Sequence, residues 1–361
     1  MRIDGDTLRP PLPVLLGTAA AIVLLIGLHL AADIVALVVF SVIATVVLVP
    51  LATGLRRRGA PGWLAMLIAI VVYVVVLGGA GLLVAVGLVG FLRDLPTYRD
   101  ELAAALEQLG ADLGGPGASV PIDPDAVAGA VRSIAASLTG TIIALGYSVF
   151  VVAYLLLEAP QARRRLGWAF GPDSAVIERG ERLAERLRTY VVARAILGAV
   201  AAVLDVILLV VLGVPAALLW GVLSFLLSFI PNVGFILALI PPAILGLLVG
   251  GLGTAVAVVI GYSVINIAID DVVQPRYIGT SVDLSAIVVT IVLLFWGLIL
   301  GGPGALLAVP LTLVAVALLD AFDATRPAAR LMAERIGDGV LSPEPREDAS
   351  PPTPTAAAAA D

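Results

Sequence analysis

Long uncharged apolar runs alternate with short polar segments along almost the whole chain. The runs cover residues 12–32, 34–53, 63–92, 138–157, 195–204 (continuing to 212 after Asp205), 216–230, 235–250, 254–269, 284–300 and 305–319. Several reach the ~20 residues that a helix needs to cross a ~30 Å hydrocarbon core. The pattern predicts an all-α polytopic integral membrane protein. We expect about eight transmembrane helices plus broken or re-entrant segments in the C-terminal half.

The composition agrees with a membrane protein and excludes several kinds of functional site. Only 13% of the 361 residues are charged, against roughly 25% in soluble domains, and the mean hydropathy is +1.10. The absence of cysteine excludes disulfides, thiolate metal sites and cysteine nucleophiles. No basic patch indicates nucleic acid. We expect the lipid bilayer and a small molecule or ion as partners, no cofactor, and no metal except a transient sodium ion.

The arginine distribution predicts the orientation of the spans. Arg56, Arg57 and Arg58 form a short basic loop, and residues 158–188 hold seven arginines against five acids. Such loops stay in the cytoplasm. Residues 93–137 hold seven acids against three arginines, so they are expected outside. The N- and C-termini are then both cytoplasmic.

This orientation divides the chain into five predicted parts. Residues 1–92 form an N-terminal scaffold of three spans, and residues 93–137 form an extracytoplasmic helical insertion. Residues 138–188 contain the fourth span and a basic cytoplasmic loop. Residues 189–320 form a transport domain with two hairpins broken by Pro and Gly, and 321–361 form a cytoplasmic helix and a disordered tail.

Two Pro/Gly breaks interrupt the short apolar runs of the C-terminal half, "FIPNVGF" at 229–235 and "LGGPGAL" at 300–306. Broken segments at matching positions of two halves indicate a transporter's binding site. Two unrelated hairpins of similar composition are the alternative. We expect the two breaks to lie close together, because non-helical backbone at membrane depth has to be buried or line a cavity. The expected hinges or helix breaks are Pro231, Gly234, Pro241, Pro275, Gly304 and Pro310.

Charged and polar side chains between these runs are the candidate transport or ion site. A charge facing lipid costs about 2.5–3.5 kcal/mol, so Asp270, Asp271 and Arg276 must face protein, water or the interface. Either they form a membrane-edge loop, or they belong to an ion or substrate site. Ser263, Asn266 and Asp270 are spaced to share one helical face. The other candidates are Asn232, Asp205, Gln274 and Arg276; Arg194 and His29, the sole histidine, are expected at the interface.

Enzymatic function is not expected. An intramembrane serine protease would need a base, and the sole histidine stands at the outer end of the first span. The chain has no HExxH motif and no phosphate-binding loop.

The segments "SFIPNVGFILALIPPAILGLL" and "NIAIDDVVQPRYIG" resemble the C-terminal signature of the AI-2E (PerM) family of bacterial transporters. The matching residues are Pro231, Gly234, Pro241, Gln274, Pro275, Gly279, Gly304, Ala308 and Pro310. A departure is Asp271, where the family more often has asparagine.

The resemblance implies a multi-pass bacterial inner-membrane transporter and a homo-oligomer. Members of the family have been associated with export of autoinducer-2 and others with sodium/proton antiport. It therefore favours export of a small, autoinducer-2-like molecule by ion-coupled alternating access, with antiport as the alternative. A membrane scaffold or regulator that transports nothing is the alternative of another class.

The orientation can be tested with single cysteines introduced into this cysteine-free chain. Cysteines at positions 57 and 164 should react with a membrane-impermeant thiol reagent only after the membrane is opened. Cysteines within 93–137 should react in intact cells. Labelling of position 57 or 164 from outside would overturn the predicted orientation.

Overall fold

The computed structural model describes residues 12–112, 124–171, 174–231, 233–274 and 286–321, with residues 325 and 327. All regular elements in these ranges are helical. They are α1 (Leu12–Leu30), α2 (Ala32–Arg57), α3 (Gly62–Asp112), α4 (Pro124–Phe170), α5 (Ala175–Val211), α6 (Ala217–Leu227), α7 (Gly234–Ile267) with a π-helical turn (Ala268–Val273), α8 (Ala286–Leu306) and α9 (Ala308–Asp320).

The described helices confirm the predicted all-α polytopic class. Six of them contain a segment long and apolar enough to cross a membrane, and three shorter apolar helices accompany them. The long segments are Ala32–Arg57, Gly62–Phe91, Ile143–Ala162, Ala175–Val211, Gly234–Val273 and Ile287–Leu306. Both α3 and α4 continue as helices beyond their spans into the predicted outer insertion. The predicted tail lies outside the described residues.

Helices α2, α3 and α4 pack as one bundle. Its core contains Leu48 of α2, Ala69 and Tyr73 of α3, and Val152 and Leu156 of α4. The Tyr73 hydroxyl donates a hydrogen bond of 2.9 Å to Ser148 Oγ on α4. A hydroxyl pair buried between helices satisfies groups that lipid cannot, and so holds α3 against α4.

Helix α7 reverses direction at Gly251. This residue has φ 70° and ψ −169°, a conformation that is essentially restricted to glycine. A Cβ on Gly246 would lie 3.3 Å from Val258 Cγ2, although residues twelve apart in a straight helix are ~18 Å apart. The two arms of α7 therefore form a helical hairpin, with the site-bearing arm running from Gly251 to the π-helical turn.

The second hairpin reverses in the same way at Gly301, which has φ 67° and ψ −148°. A side chain on Gly304 would collide with the Trp296 carbonyl group. Trp296 Nε1 donates to Thr312 Oγ1 at 3.1 Å and so ties α8 to α9. Pro310 lies in the first turn of α9, where a missing backbone N–H has no cost.

Of the predicted breaks within the described residues, Pro241 and Pro310 lie inside helices. Helical geometry continues through Pro241, so the break predicted there lies instead at Gly251. Pro231 lies in the turn between α6 and α7. Gly234 begins α7, and a side chain on it would collide with the Leu227 carbonyl oxygen. Pro275 lies outside the described residues.

Residues next to the two breaks pack against one another, although Gly301, Gly302 and Pro303 of the second break are exposed. Ile230, directly before the first break, forms one buried cluster with Leu293 and Ala308 of the second hairpin. Ala305 and Leu306, directly after the second break, pack on the same cluster. The end of α6 therefore rests on the turn of the second hairpin.

The reversal at Gly251 predicts a specific stability effect. Gly251→Ala should destabilise the protein by about 1–3 kcal/mol, because alanine is strained in this backbone conformation. No atom lies within 4 Å of a Cβ built at this position, so backbone strain is the sole cost of the substitution. Stability would be measured by thermal unfolding in detergent.

The matched control is Gly253→Ala, two residues away, where φ is not positive and the surroundings are equally open. This variant should be as stable as the wild type or more stable. Equal unfolding temperatures for the two alanine variants would contradict the hairpin.

Candidate functional site

The polar side chains of the C-terminal half meet where α5 packs against α6 and α7. Glycines bring these helices close together: a side chain on Gly221 of α6 would collide with Val206 of α5, and one on Gly261 of α7 would collide with Leu208. Small residues at a helix interface allow backbones to approach and polar side chains to bond across it. Two separate polar clusters use this contact.

The first cluster is centred on Arg194 of α5, which is only 5% exposed. Its Nη1 atom donates to Asp270 Oδ1 at 2.6 Å and also to Gln274 Oε1. Its Nε atom donates to the carbonyl oxygen of Ser228. One guanidinium thus connects α5, the end of α6 and the π-helical turn that ends α7.

Local structure explains why these acceptors are available to Arg194. Ser228 is the C-cap residue of α6, and the last carbonyls of a helix have no partner within the helix. A positive charge at this end is also favoured by the helix dipole. Asp270 lies in the π-helical turn Ala268–Val273, a geometry often found at functional sites. Its side chain is 31% exposed, so the cluster opens on one side.

The second cluster is centred on Asp205 of α5, which has no exposed surface. Ser224 Oγ of α6 donates to Asp205 Oδ2 at 2.7 Å. Asp205 Oδ1 is buried without a hydrogen-bond partner among the described residues. The Asn266 side chain of α7 is a polar neighbour of this carboxyl group, and its amide donates to the Tyr262 carbonyl oxygen at 2.9 Å.

The two clusters place their carboxyl groups in different surroundings. Asp270 has a guanidinium beside it, which compensates its charge. Asp205 accepts from the Ser224 hydroxyl and has the Asn266 amide beside it, while its Oδ1 atom has no hydrogen-bond partner of normal geometry within the described structure. Burying a carboxylate without a paired charge is costly, and a bound proton or cation removes that cost. Asp205 is therefore chemically suited to exchange protons or ions, and Arg194 is suited to hold an anionic or hydroxyl-rich group.

Comparison with known proteins assigns these helices to a family. Residues 19–324 match the family model of the AI-2E family transporters. The chain belongs to the AI-2E transporter family. A Haemophilus influenzae protein is 30% identical to this transporter over 338 residues, which cover 89% of this chain and 96% of the relative.

Two Escherichia coli relatives are similar over most of their length. The AI-2 transport protein TqsA is 29% identical over 302 residues, 81% of this transporter and 87% of TqsA. YhhT is 29% identical over 310 residues, 83% of this transporter and 88% of YhhT. The resemblance to the AI-2E family that the sequence motifs indicate is thus confirmed.

The structure separates residues that the sequence places on one helical face of this AI-2E transporter. Asn266 lies beside Asp205, whereas Asp270 lies beside Arg194. Ser263 is half-buried on α7, and Asp271 is exposed. Gln274 joins the Arg194 cluster. Asn232 and Arg276, the other two candidates, lie outside the described residues.

The main residue that sequence reasoning missed is Arg194. Its side chain is buried in protein and bonded to three acceptors, and its expected depth at the membrane interface stays a prediction. An arginine inside an apolar run requires a buried acidic partner, which was a usable signal for Asp270. His29 Nδ1 lies 2.9 Å from the carbonyl oxygen of Ile299, and so connects α1 to α8.

The Arg194–Asp270 pair should contribute strongly to stability. Arg194→Gln should destabilise the protein by about 3 kcal/mol, because it leaves Asp270 without its partner. Asp270→Asn should cost less, since an amide oxygen still accepts from the guanidinium. The double variant should lose less than the sum of the two single losses. Unfolding in mixed micelles with increasing denaturing detergent would give the three values.

Arg188→Gln on the same helix is the matched control. Arg188 is 39% exposed and pairs with Glu185 at 3.4 Å, so its loss should cost less than ~1 kcal/mol. Equal losses of stability in Arg194→Gln and Arg188→Gln would contradict a larger contribution of the buried pair to the free energy of unfolding.

Proposed function

We propose that this AI-2E transporter exports a small polar molecule resembling autoinducer-2 by alternating access coupled to a proton or sodium gradient. The observation that carries the proposal is Asp205, a fully buried carboxyl group with one unsatisfied oxygen among the described residues. Ionisable groups within membrane helices face protein interiors or solvent pathways and are typical of ion and proton relays. The relative TqsA, named as an AI-2 transport protein, supports the choice of substrate class.

Asp205 is assigned the coupling role. It lies between α5 and α6 through Ser224 and beside Asn266 of α7. Release of its proton or cation would create a full charge at a desolvated position, which favours an arrangement that admits water or a new ion. Binding of the ion would remove that charge and allow the helices to close again.

Arg194 is assigned to the polar groups of the substrate. Its three acceptors are Asp270, Gln274 and the Ser228 carbonyl oxygen. The exposed side of Asp270 gives a solute access to this cluster. A solute with several oxygen acceptors could replace Asp270 or Gln274 on the guanidinium, because the fork of donors on arginine suits such groups.

A sodium/proton antiporter is the second candidate. The oxygen-bearing side chains of Ser224 and Asn266 adjoin the Asp205 carboxyl group. Oxygen ligands of this kind suit hard cations. Sodium-driven proton movement in vesicles without any organic solute would favour antiport over solute export.

Flux through proteoliposomes separates the roles of the three carboxyl groups. Asp205→Asn should abolish the dependence of autoinducer-2 flux on a proton or sodium gradient. Asp270→Asn should lower flux at least tenfold if Asp270 orders the substrate-binding arginine, with tenfold corresponding to ~1.4 kcal/mol. Asp271→Asn should retain most activity, since Asp271 is exposed.

Asp271→Asn is the matched control, because it makes the same chemical change one residue away. Size-exclusion profiles would show that all variants remain folded. Gradient-dependent flux of Asp205→Asn equal to that of the wild type would remove the coupling role. If the wild type moved neither autoinducer-2 nor ions under any gradient, the scaffold alternative would replace transport.

A further inference from the structure

A second polar surface, separate from the two polar clusters of α5, lies at the ends of α2 and α4. It consists of the exposed arginines Arg56, Arg57, Arg58, Arg164 and Arg165 together with Trp63 and Trp168. We refer to these seven residues as the basic edge. The tryptophans are 66% and 90% exposed, so they are not part of a protein core.

Helix register places both parts of the basic edge at the same level. Helices α3 and α4 run antiparallel, with Tyr73 opposite Ser148. Met66 packs on the cluster that contains Leu156. Continuing along α4 from Leu156 for eight residues, about 12 Å, leads to Arg164. The same distance back along α3 from Met66 leads past Trp63 to the α2–α3 turn with Arg58.

This level coincides with the ends of the apolar spans. The candidate span of α4, Ile143–Ala162, ends two residues before Arg164, and that of α3, Gly62–Phe91, begins next to Trp63. Tryptophan is enriched where the hydrocarbon core meets the headgroups. The arginines of the basic edge therefore lie just beyond the ends of the apolar spans.

The basic edge has a large excess of positive charge. In residues 45–66 and 155–171 the sequence contains a single acid, Glu158, which forms an ion pair with Arg165. The neighbouring start of α5 is different, because its Arg182 pairs with Glu178 at 2.5 Å. A local positive charge without matching acids attracts anionic groups from the surroundings.

We infer that the basic edge binds the phosphate headgroups of anionic phospholipids. Arginine forms paired hydrogen bonds with phosphate oxygens. Clusters of basic residues directly beside a membrane helix recognise anionic lipids. The exposed tryptophans favour a lipid over a soluble phosphate ion, because an indole ring beside an apolar span contacts acyl chains and headgroups. Bound lipid would hold the α2–α4 bundle at a fixed depth in the membrane.

Lipid retention by the purified transporter tests this inference. The protein would be incubated in detergent with phosphatidylglycerol or phosphatidylcholine and analysed by native mass spectrometry. The wild type should bind phosphatidylglycerol in preference to phosphatidylcholine. The triple variant R57Q/R58Q/R164Q should lose at least tenfold in apparent affinity for phosphatidylglycerol, because each arginine near the surface contributes.

The control variant is R179Q/R182Q/R188Q, which removes three arginines from the start of α5. It should bind phosphatidylglycerol as the wild type does, since Arg182 and Arg188 are paired with acids of their own helix. Equal losses in both triple variants would show a general charge effect and overturn the inference. Equal binding of both lipids by the wild type would also overturn it.

Two further measurements keep the test decisive. Trp168→Ala leaves every charge in place and should still weaken phosphatidylglycerol binding. It therefore tests the inference even if the triple variant fails to insert into the membrane. Unchanged binding by Trp168→Ala would contradict the placement at headgroup depth. Inorganic phosphate at millimolar concentration should not displace the lipid, and full displacement would indicate a soluble anion site instead.

Discussion

A guanidinium buried between helices needs its hydrogen-bond acceptors from the protein, and this requirement explains how the C-terminal half is arranged around Arg194. An unsatisfied arginine at the membrane centre costs about 2.5–3.5 kcal/mol on insertion scales. Its acceptors come from α6 and the π-helical turn, 34 to 80 residues away in sequence. The close approach that makes these bonds possible depends on glycine, because a side chain on Gly198 would collide with Ser228. The contact between α5 and the end of α6 therefore both packs the two helices closely and supplies a hydrogen-bond acceptor for Arg194.

Each of the two hairpins contains a short stretch of non-helical backbone. Both reversals use a glycine with positive φ, Gly251 and Gly301. Gly301 itself is exposed, whereas residues just beyond the second break are buried. Ile230 from the end of α6 packs there with Ala308. This contact fixes the end of α6 on the second hairpin and so helps to place the Ser228 carbonyl group near Arg194.

The fold class was predictable because apolar runs and their lengths are local properties of the sequence. The polar candidates Asp205, Asn266, Asp270 and Gln274 were also predictable, since charge and amide groups in apolar runs are costly wherever they face lipid. Their pairing was not, because a contact between Arg194 and residues about 80 positions later depends on tertiary packing. The π-helical turn has no proline or glycine within it, so its position also could not be predicted from the sequence. Pro241 was misleading, because membrane helices tolerate proline when neighbouring groups satisfy the freed carbonyl.

The two carboxyl groups occupy different clusters but share two helices. Asp205 and Arg194 lie eleven residues apart on α5, about 16 Å along the axis. Asn266 and Asp270 lie only one turn apart on α7 and its π-helical continuation. A displacement of α7 against α5 that separates Asp270 from Arg194 must therefore also move Asn266 relative to Asp205. Since the free energy of each cluster depends on its own partners, one movement changes both. Under the proposed function, this shared movement would couple an ion on Asp205 to a solute on Arg194 without any contact between the two ligands.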